Sequence, residues 1–182
     1  MIARTIARHH RRRRRLGRFI ILAFCALGTC GVSGPSLLHH HPLVVWNASA
    51  SAPIGLYRVR SNTQLIRGDL VLVRPPSAVA SLAAARGYVP AGVPLIKRVA
   101  ALAGDTVCGE QRSVAINGEP VPTRLETDRL GRPLPTWEGC RMLQAGELFL
   151  LMRDVPDSFD SRYFGPVRVE SVIGQLVPLW IG

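Results

Sequence analysis

The sequence predicts a mainly β domain preceded by one N-terminal transmembrane helix. Three observations predict it. Short apolar or alternating runs, bounded by Gly, Pro and Asn, recur from residue 56 to residue 180 with one helix-like stretch among them, and no strand–helix alternation suggests a parallel α/β sheet. Residues 19–38, FIILAFCALGTCGVSGPSLL, carry no charge; as a helix they would span roughly the 30 Å hydrocarbon core at about 1.5 Å per residue. Eight arginines (Arg4, Arg8, Arg11 to Arg15 and Arg18) crowd into the first eighteen residues with no acid beside them.

The formal net charge of +11 falls to +3 once those arginines are set aside. Basic character is therefore a local topology signal, and no nucleic-acid partner is expected. Residues 1–18 are expected in the cytoplasm, 19–38 as a transmembrane anchor or uncleaved signal, and 39–182 as an exported domain. A cleavable signal peptide competes, because Gly28, Gly31, Ser33, Gly34 and Pro35 make the second half of the span small and helix-poor. A lipoprotein reading of LGTC, ending at Cys30, has an unfavourable Thr before the cysteine. All three readings export the domain.

The elements follow in order. LYRVR (56–60) and DLVLVR (69–74) read as strands, the second too apolar to face water on both sides. Residues 76–88 read as a short helix ending near Gly87. PLIKRVAAL (94–102) is a strand, Gly104 and Asp105 begin a turn, and VAINGEPV (114–121) is a hairpin whose Asn117-Gly118 pair suits a type I′ turn. RLETDRLGRPLPTWEGC (124–140) reads as an irregular excursion. GELFLLM (146–152) returns to strand, 154–165 is a polar loop, and SVIGQLVPLW (171–180) closes the domain as a strand.

Cys108 and Cys140 are the only cysteines after residue 38. In an oxidising compartment such a pair is expected to bond, which stabilises a loop of this length by roughly 3–4 kcal/mol. Two unpaired buried thiols are the alternative. Two thiols are too few for zinc, and no histidine follows His41, so no metal or other cofactor is expected.

SASAPIGLYRVR (49–60) offers serines at 49 and 51 ahead of a proline. A serine hydroxyl needs a base to take its proton. With no histidine after His41, a Ser-His-Asp triad cannot be assembled in the exported domain unless the juxtamembrane His39, His40 or His41 folds back, which their position makes awkward. The chain holds 22 arginines and a single lysine, Lys97, set among apolar residues. Arginine stays protonated in proteins, whereas a buried lysine can give up its charge. Half-neutrality at pH 7 requires a fall in pKa costing about 4 kcal/mol, which a dry site supplies. The bland alternative is a leftover lysine whose head snorkels to water.

SASAPIGLY, RGDLVLVR, KRVAALAGDTV and SFDSRYFGPV, in that order, resemble the successive boxes of the type I signal peptidases, which cut with a Ser/Lys dyad. Within that family the chain is similar to the conjugative-transfer, TraF-type branch. Pro53 stands two residues after Ser51, where general signal peptidases have proline three after, and the Gly-Asp/Asn-Asn run those enzymes place before the last box is replaced by RDVPD. The resemblance implies a signal-peptidase-like β fold with Ser51 as nucleophile and Lys97 as general base. It implies an oxyanion hole from the Ser49 hydroxyl and the Ser51 N–H, with Ser158 orienting the lysine and an Asp160–Arg162 ion pair in support.

By the same resemblance the chain sits in a bacterial inner membrane with its domain in the periplasm. Its partners would be the lipid bilayer, an exported pilin or other precursor, and components of a conjugative type IV secretion apparatus. Cleavage followed by hydrolysis or by cyclisation both stay open. A general signal peptidase and an inactive membrane-anchored scaffold are the competing functions. A Ser/Lys autoprotease of the repressor kind is disfavoured by the adjoining hydrophobic span and the lack of a helix-turn-helix pattern.

Overall fold

The computed structural model describes residues 19–29, 42–61 and 64–182. Residues 19–29 are helical (α1); residues 30–38 of the expected span lie outside the described residues, as does the basic segment 1–18. Among the described residues no helix is long and apolar enough to cross a membrane.

Pro42–Gly182 forms a unit of its own. Its elements are β1 (Val44–Asn47), β2 (Gly55–Arg60), β3 (Leu70–Val73), α2 (Ser77–Ala85), β4 (Leu95–Ala101), β5 (Thr106–Glu110), β6 (Ser113–Ile116), β7 (Glu119–Pro120), β8 (Gly139–Met142), β9 (Glu147–Leu150), α3 (Ser161–Phe164), β10 (Val167–Arg168) and β11 (Val172–Ile181). The strands make a seven-stranded sheet, ordered β1-β2-β11-β3-β4-β9-β10, and a four-stranded sheet, ordered β7-β6-β5-β8. The mainly β expectation holds.

β3, the apolar run Leu70–Val73, is buried along its whole length. Leu70 and Leu72 pack with Tyr57, Ile96 and Leu176, while Val71 and Val73 pack with Leu95, Val99 and Leu150. Such a strand is covered on both faces, which explains its lack of alternation. β9 serves two clusters in the same way: Leu148 and Leu150 join β3 and β4, and Phe149 joins Val107, Val114 and Ile116 of the smaller sheet. β11 lies between β2 and β3, and Gly174 permits the close approach. A Cβ there would meet Val59 Cγ1 at 2.6 Å and the Arg60 carbonyl oxygen at 2.8 Å. Asn117 and Gly118 take positive φ angles of 52° and 83°, as a type I′ turn demands.

Three strands escape a reading by hydrophobic pattern. β1 is a largely exposed edge strand, β8 is exposed throughout, and β10 is two residues long. β8 is held instead by its pairing to β5, which sets Cys140 directly opposite Cys108; the two are joined as a disulfide. The excursion that ends in β8 is tied down by side chains. Tyr88 Oη donates to Asp128 at 2.7 Å, Leu125 N donates to Tyr163 Oη at 3.0 Å, and Trp137 Nε1 donates to the Ser161 carbonyl at 2.9 Å. The stretch expected as a polar loop contains α3, whose Ser161, Arg162 and Tyr163 are buried.

The disulfide closes a separation of 32 residues, for which loop-closure entropy gives about 3–4 kcal/mol. Urea unfolding of Cys140→Ser, or of the reduced protein, is expected to show a loss of that size. An unchanged midpoint would assign the excursion's stability to its hydrogen bonds alone.

Candidate active site

The two candidate serines sit in the loop between β1 and β2. The strands' register ends with Asn47 opposite Gly55, so residues 48–54 must turn the chain around. Ser49 is exposed and Ser51 half-buried, while the next residue, Ala52, enters the core. Ser49 Oγ and Ser51 Oγ are hydrogen-bonded at 2.9 Å. Behind them, Tyr57 Oη donates to the Pro53 carbonyl at 2.6 Å and fixes the far side of the loop. A cleft bordering Pro53 is lined by Tyr57, Arg98, Gln175, Leu176 and Pro178.

Lys97 lies in the middle of β4, opposite Val71 of β3, and only 3% of it is exposed. Its Nζ donates to Ser158 Oγ at 2.7 Å. An ammonium has three hydrogens to place, and here one finds an acceptor. Burial pulls the Lys97 pKa down from 10.5 to about 8; the nearby Asp160 and Asp157 carboxylates oppose that fall, and Arg162 adds to it. About one lysine in ten is then neutral at pH 7. The fall is smaller than the half-neutrality at pH 7 that the sequence argument required.

Ser158 is buried as well, and the polar residues after it hold it in place. Asp160 and Arg162, both with fully buried side chains, pair through Nε–Oδ1 at 2.9 Å and Nη2–Oδ2 at 3.0 Å. Arg162 Nη2 also donates to the Ser158 carbonyl at 3.1 Å and the Val155 carbonyl at 3.2 Å. Asp160 caps α3 by accepting from Arg162 N, and accepts from Met152 N beyond the end of β9. A fork of this kind satisfies both charges with directed bonds, which burial requires.

The structure therefore gathers the expected residues into two hydrogen-bonded sets: Ser49 with Ser51, and Lys97 with Ser158 above Asp160 and Arg162. Ser51 Oγ and Lys97 Nζ are not hydrogen-bonded to each other. Catalytic bonds often tighten only once substrate is bound. Asp105 and Gly104 make the expected turn, and Asp105 is a buried junction that accepts from Arg67, Asn117 Nδ2 and Leu102 N. Among the described residues no three His, Cys, Asp or Glu side chains are grouped as metal ligands. Sequence reasoning passed over Asn47, which is buried and bonded to the serine loop. The signal was present: Asn two residues before Ser is an Asx-turn pattern.

Comparison with known proteins places the chain in a family. The chain belongs to the signal peptidase family, peptidase S26, whose model matches residues 14–180. Among curated proteins it is similar to the plasmid transfer protein TraF of Escherichia coli, 37% identical over 143 residues that cover 73% of this chain and 80% of the relative. It is also similar to a probable conjugal transfer protein TraF of Sinorhizobium fredii (strain NBRC 101917 / NGR234), 33% identical over 172 residues and 89% of each chain. A crystal structure of a signal peptidase I from Enterococcus faecalis V583 is 24% identical with a TM-score of 0.38, covering 64% of this chain and all of that one. At that score the likeness carries no weight of its own.

A lysine held near 8 in the folded state and 10.5 in the unfolded state couples stability to pH. Between those values the unfolded chain binds more protons, so stability rises with pH across that window and the penalty is fully present below it. Its size is about 3 kcal/mol. Lys97→Met is expected to stabilise the protein by about 1–3 kcal/mol at pH 7, after the lost bond to Ser158 is discounted. It should also flatten the difference in unfolding free energy between pH 8 and pH 10.5. A variant less stable than wild type at pH 7 would show that Lys97 does not carry this cost.

Proposed function

We propose that the chain is a membrane-anchored serine endopeptidase of the conjugal-transfer kind, with Ser51 as nucleophile and Lys97 as general base, maturing an exported pilin precursor. The single observation that carries this reading is Lys97. It is the chain's one lysine, buried and bonded through Nζ to Ser158, in a family of signal peptidases. With Ser158 Oγ accepting one N–H, the neutral amine keeps a lone pair with which to take a proton.

The chemistry is acyl transfer. Lys97 takes the Ser51 proton as Ser51 Oγ attacks the scissile carbonyl; the Ser49 hydroxyl and the Ser51 N–H receive the oxyanion. Collapse breaks the peptide C–N bond, Lys97 returns the proton to the leaving amine, and an acyl-enzyme remains. Water then releases a linear product, or the precursor's own N-terminal amine releases a cyclic one. The names of the TraF relatives support a role in conjugal transfer, beside the components of a type IV secretion apparatus. The uncharged helical segment 19–29 supports an anchor. So does an exposed apolar rim on the catalytic unit, where Trp46 and Trp180 stack with ring centroids 5.7 Å apart, because tryptophan favours the membrane–water interface.

The test expresses the full chain in membranes with a tagged pilin precursor and reads the product by intact mass. Ser51→Ala and Lys97→Arg are both expected to abolish processing, since arginine keeps the charge but cannot act as a base. A product one water lighter than the cleaved linear chain means cyclisation. Processing by wild type should rise with pH through about 8, as Lys97 loses its proton. Normal processing by both variants would sink the reading in favour of an inactive scaffold.

A further inference from the structure

We infer that Asn47 is a positioning residue for acyl transfer: its carboxamide sets the Ser49 hydroxyl, and through it the Ser51 hydroxyl, in the arrangement from which the reaction starts. The inference rests on the reading of Ser51 as nucleophile.

Asn47 closes β1, and its side chain turns into the loop it precedes. Only 4% of it is exposed. Nδ2 lies 3.0 Å from each of three loop carbonyls, those of Ser49, Ala52 and Pro53. Oδ1 accepts from Ser49 N at 3.0 Å and from Ser49 Oγ at 2.8 Å. One side chain thus bonds the loop on both sides of Ser51. An amide is suited to this, because it offers two donor hydrogens and a carbonyl acceptor on one rigid plane.

The bonds also fix the order of protons. Ser49 has one hydroxyl hydrogen, and it goes to Asn47 Oδ1. In the 2.9 Å contact between the serines, Ser51 must then be the donor and Ser49 the acceptor. The resting nucleophile keeps its proton on a short chain, Ser51 to Ser49 to Asn47, in which Lys97 takes no part. For attack, Ser51 O–H turns to the amine, and Ser49 O–H is released to meet the growing oxyanion. Asn47 Oδ1 keeps its bond from Ser49 N through that exchange, so no buried acceptor is stranded. A carboxylate at this position would hold the Ser49 proton more tightly, face three carbonyls without a donor, and repel the oxyanion.

The experiment measures initial rates on the tagged pilin precursor, with the full chain in membranes, across precursor concentrations. Wild type, Ser51→Ala, Asn47→Asp, Ser49→Ala and the Asn47→Asp/Ser49→Ala double variant are compared. Asn47→Asp is expected to lower kcat about 10- to 100-fold with KM unchanged, short of the roughly 100- to 1,000-fold that removing an oxyanion donor outright costs. In the Ser49→Ala background the same change should cost less than about threefold more, because residues acting as a unit are non-additive. Should Asn47→Asp fail to fold, Asn47→Ser, a smaller side chain with one hydroxyl in place of the amide's two donor hydrogens and carbonyl, carries the same comparison. A kcat near wild type, a loss confined to KM, or an undiminished loss without the Ser49 hydroxyl would each overturn the inference. Activity in Ser51→Ala would overturn the nucleophile reading itself, whereas a dead Ser51→Ala beside a normal Asn47→Asp overturns the inference alone.

Discussion

A lysine amine without water around it is the condition on which the other features of the site depend. In bulk solvent the Nζ of Lys97 would stay protonated at any physiological pH. Here β3 and β9 flank β4 and exclude water, and burial outweighs the nearby carboxylates that favour the charge. One of those carboxylates, Asp160, is the price of anchoring Ser158. Asp160 must be present to hold Arg162, and Arg162 to hold the backbone at Ser158. Charge placed to build the site therefore works against the neutral amine, and Arg162 partly compensates. A value near 8 is the compromise, and an arriving peptide that buries the amine more deeply would move it further down.

The serine side of the site is governed by a different constraint, the satisfaction of loop carbonyls. A seven-residue connection between strands has no ladder of its own, and its inward carbonyls need donors. Asn47 and Tyr57 supply them from the flanking strands. The serine loop is held because its polar backbone is bonded from within. Ser51 can then remain half-exposed to a peptide while its neighbour Ala52 is locked in the core.

Much of this was legible in the sequence, for reasons that can be assigned. The apolar runs at β3, β4, β9 and β11 read as strands because burial imposes composition on them. The Asn117-Gly118 turn was readable because few residue pairs accept two positive φ angles. Lys97 stood out by elimination, in a chain where every other basic side chain after residue 41 is arginine. β1 and β8 were not legible: one is an exposed edge and the other exposed throughout, so neither carries a hydrophobic signature. The burial of Ser161, Arg162 and Tyr163 was hidden for the opposite reason. A polar string reads as a surface loop unless its partners are known, and those partners, such as Thr123 and Leu125, lie nearly forty residues away.

The placement of β11 has a consequence for biogenesis. β2, whose start anchors the serine loop, and β3, which backs the lysine, never pair with each other; the last strand in the chain is what joins them. During synthesis the β1–β2 pair that carries the serine loop is complete early, yet the other edge of β2 stays unpaired until residues 172–181 arrive. A chain not yet extended to β11 would hold its serine and its lysine on separate fragments of sheet. Such an order of assembly acts as a timer: the two halves come into register only once the last strand is in place.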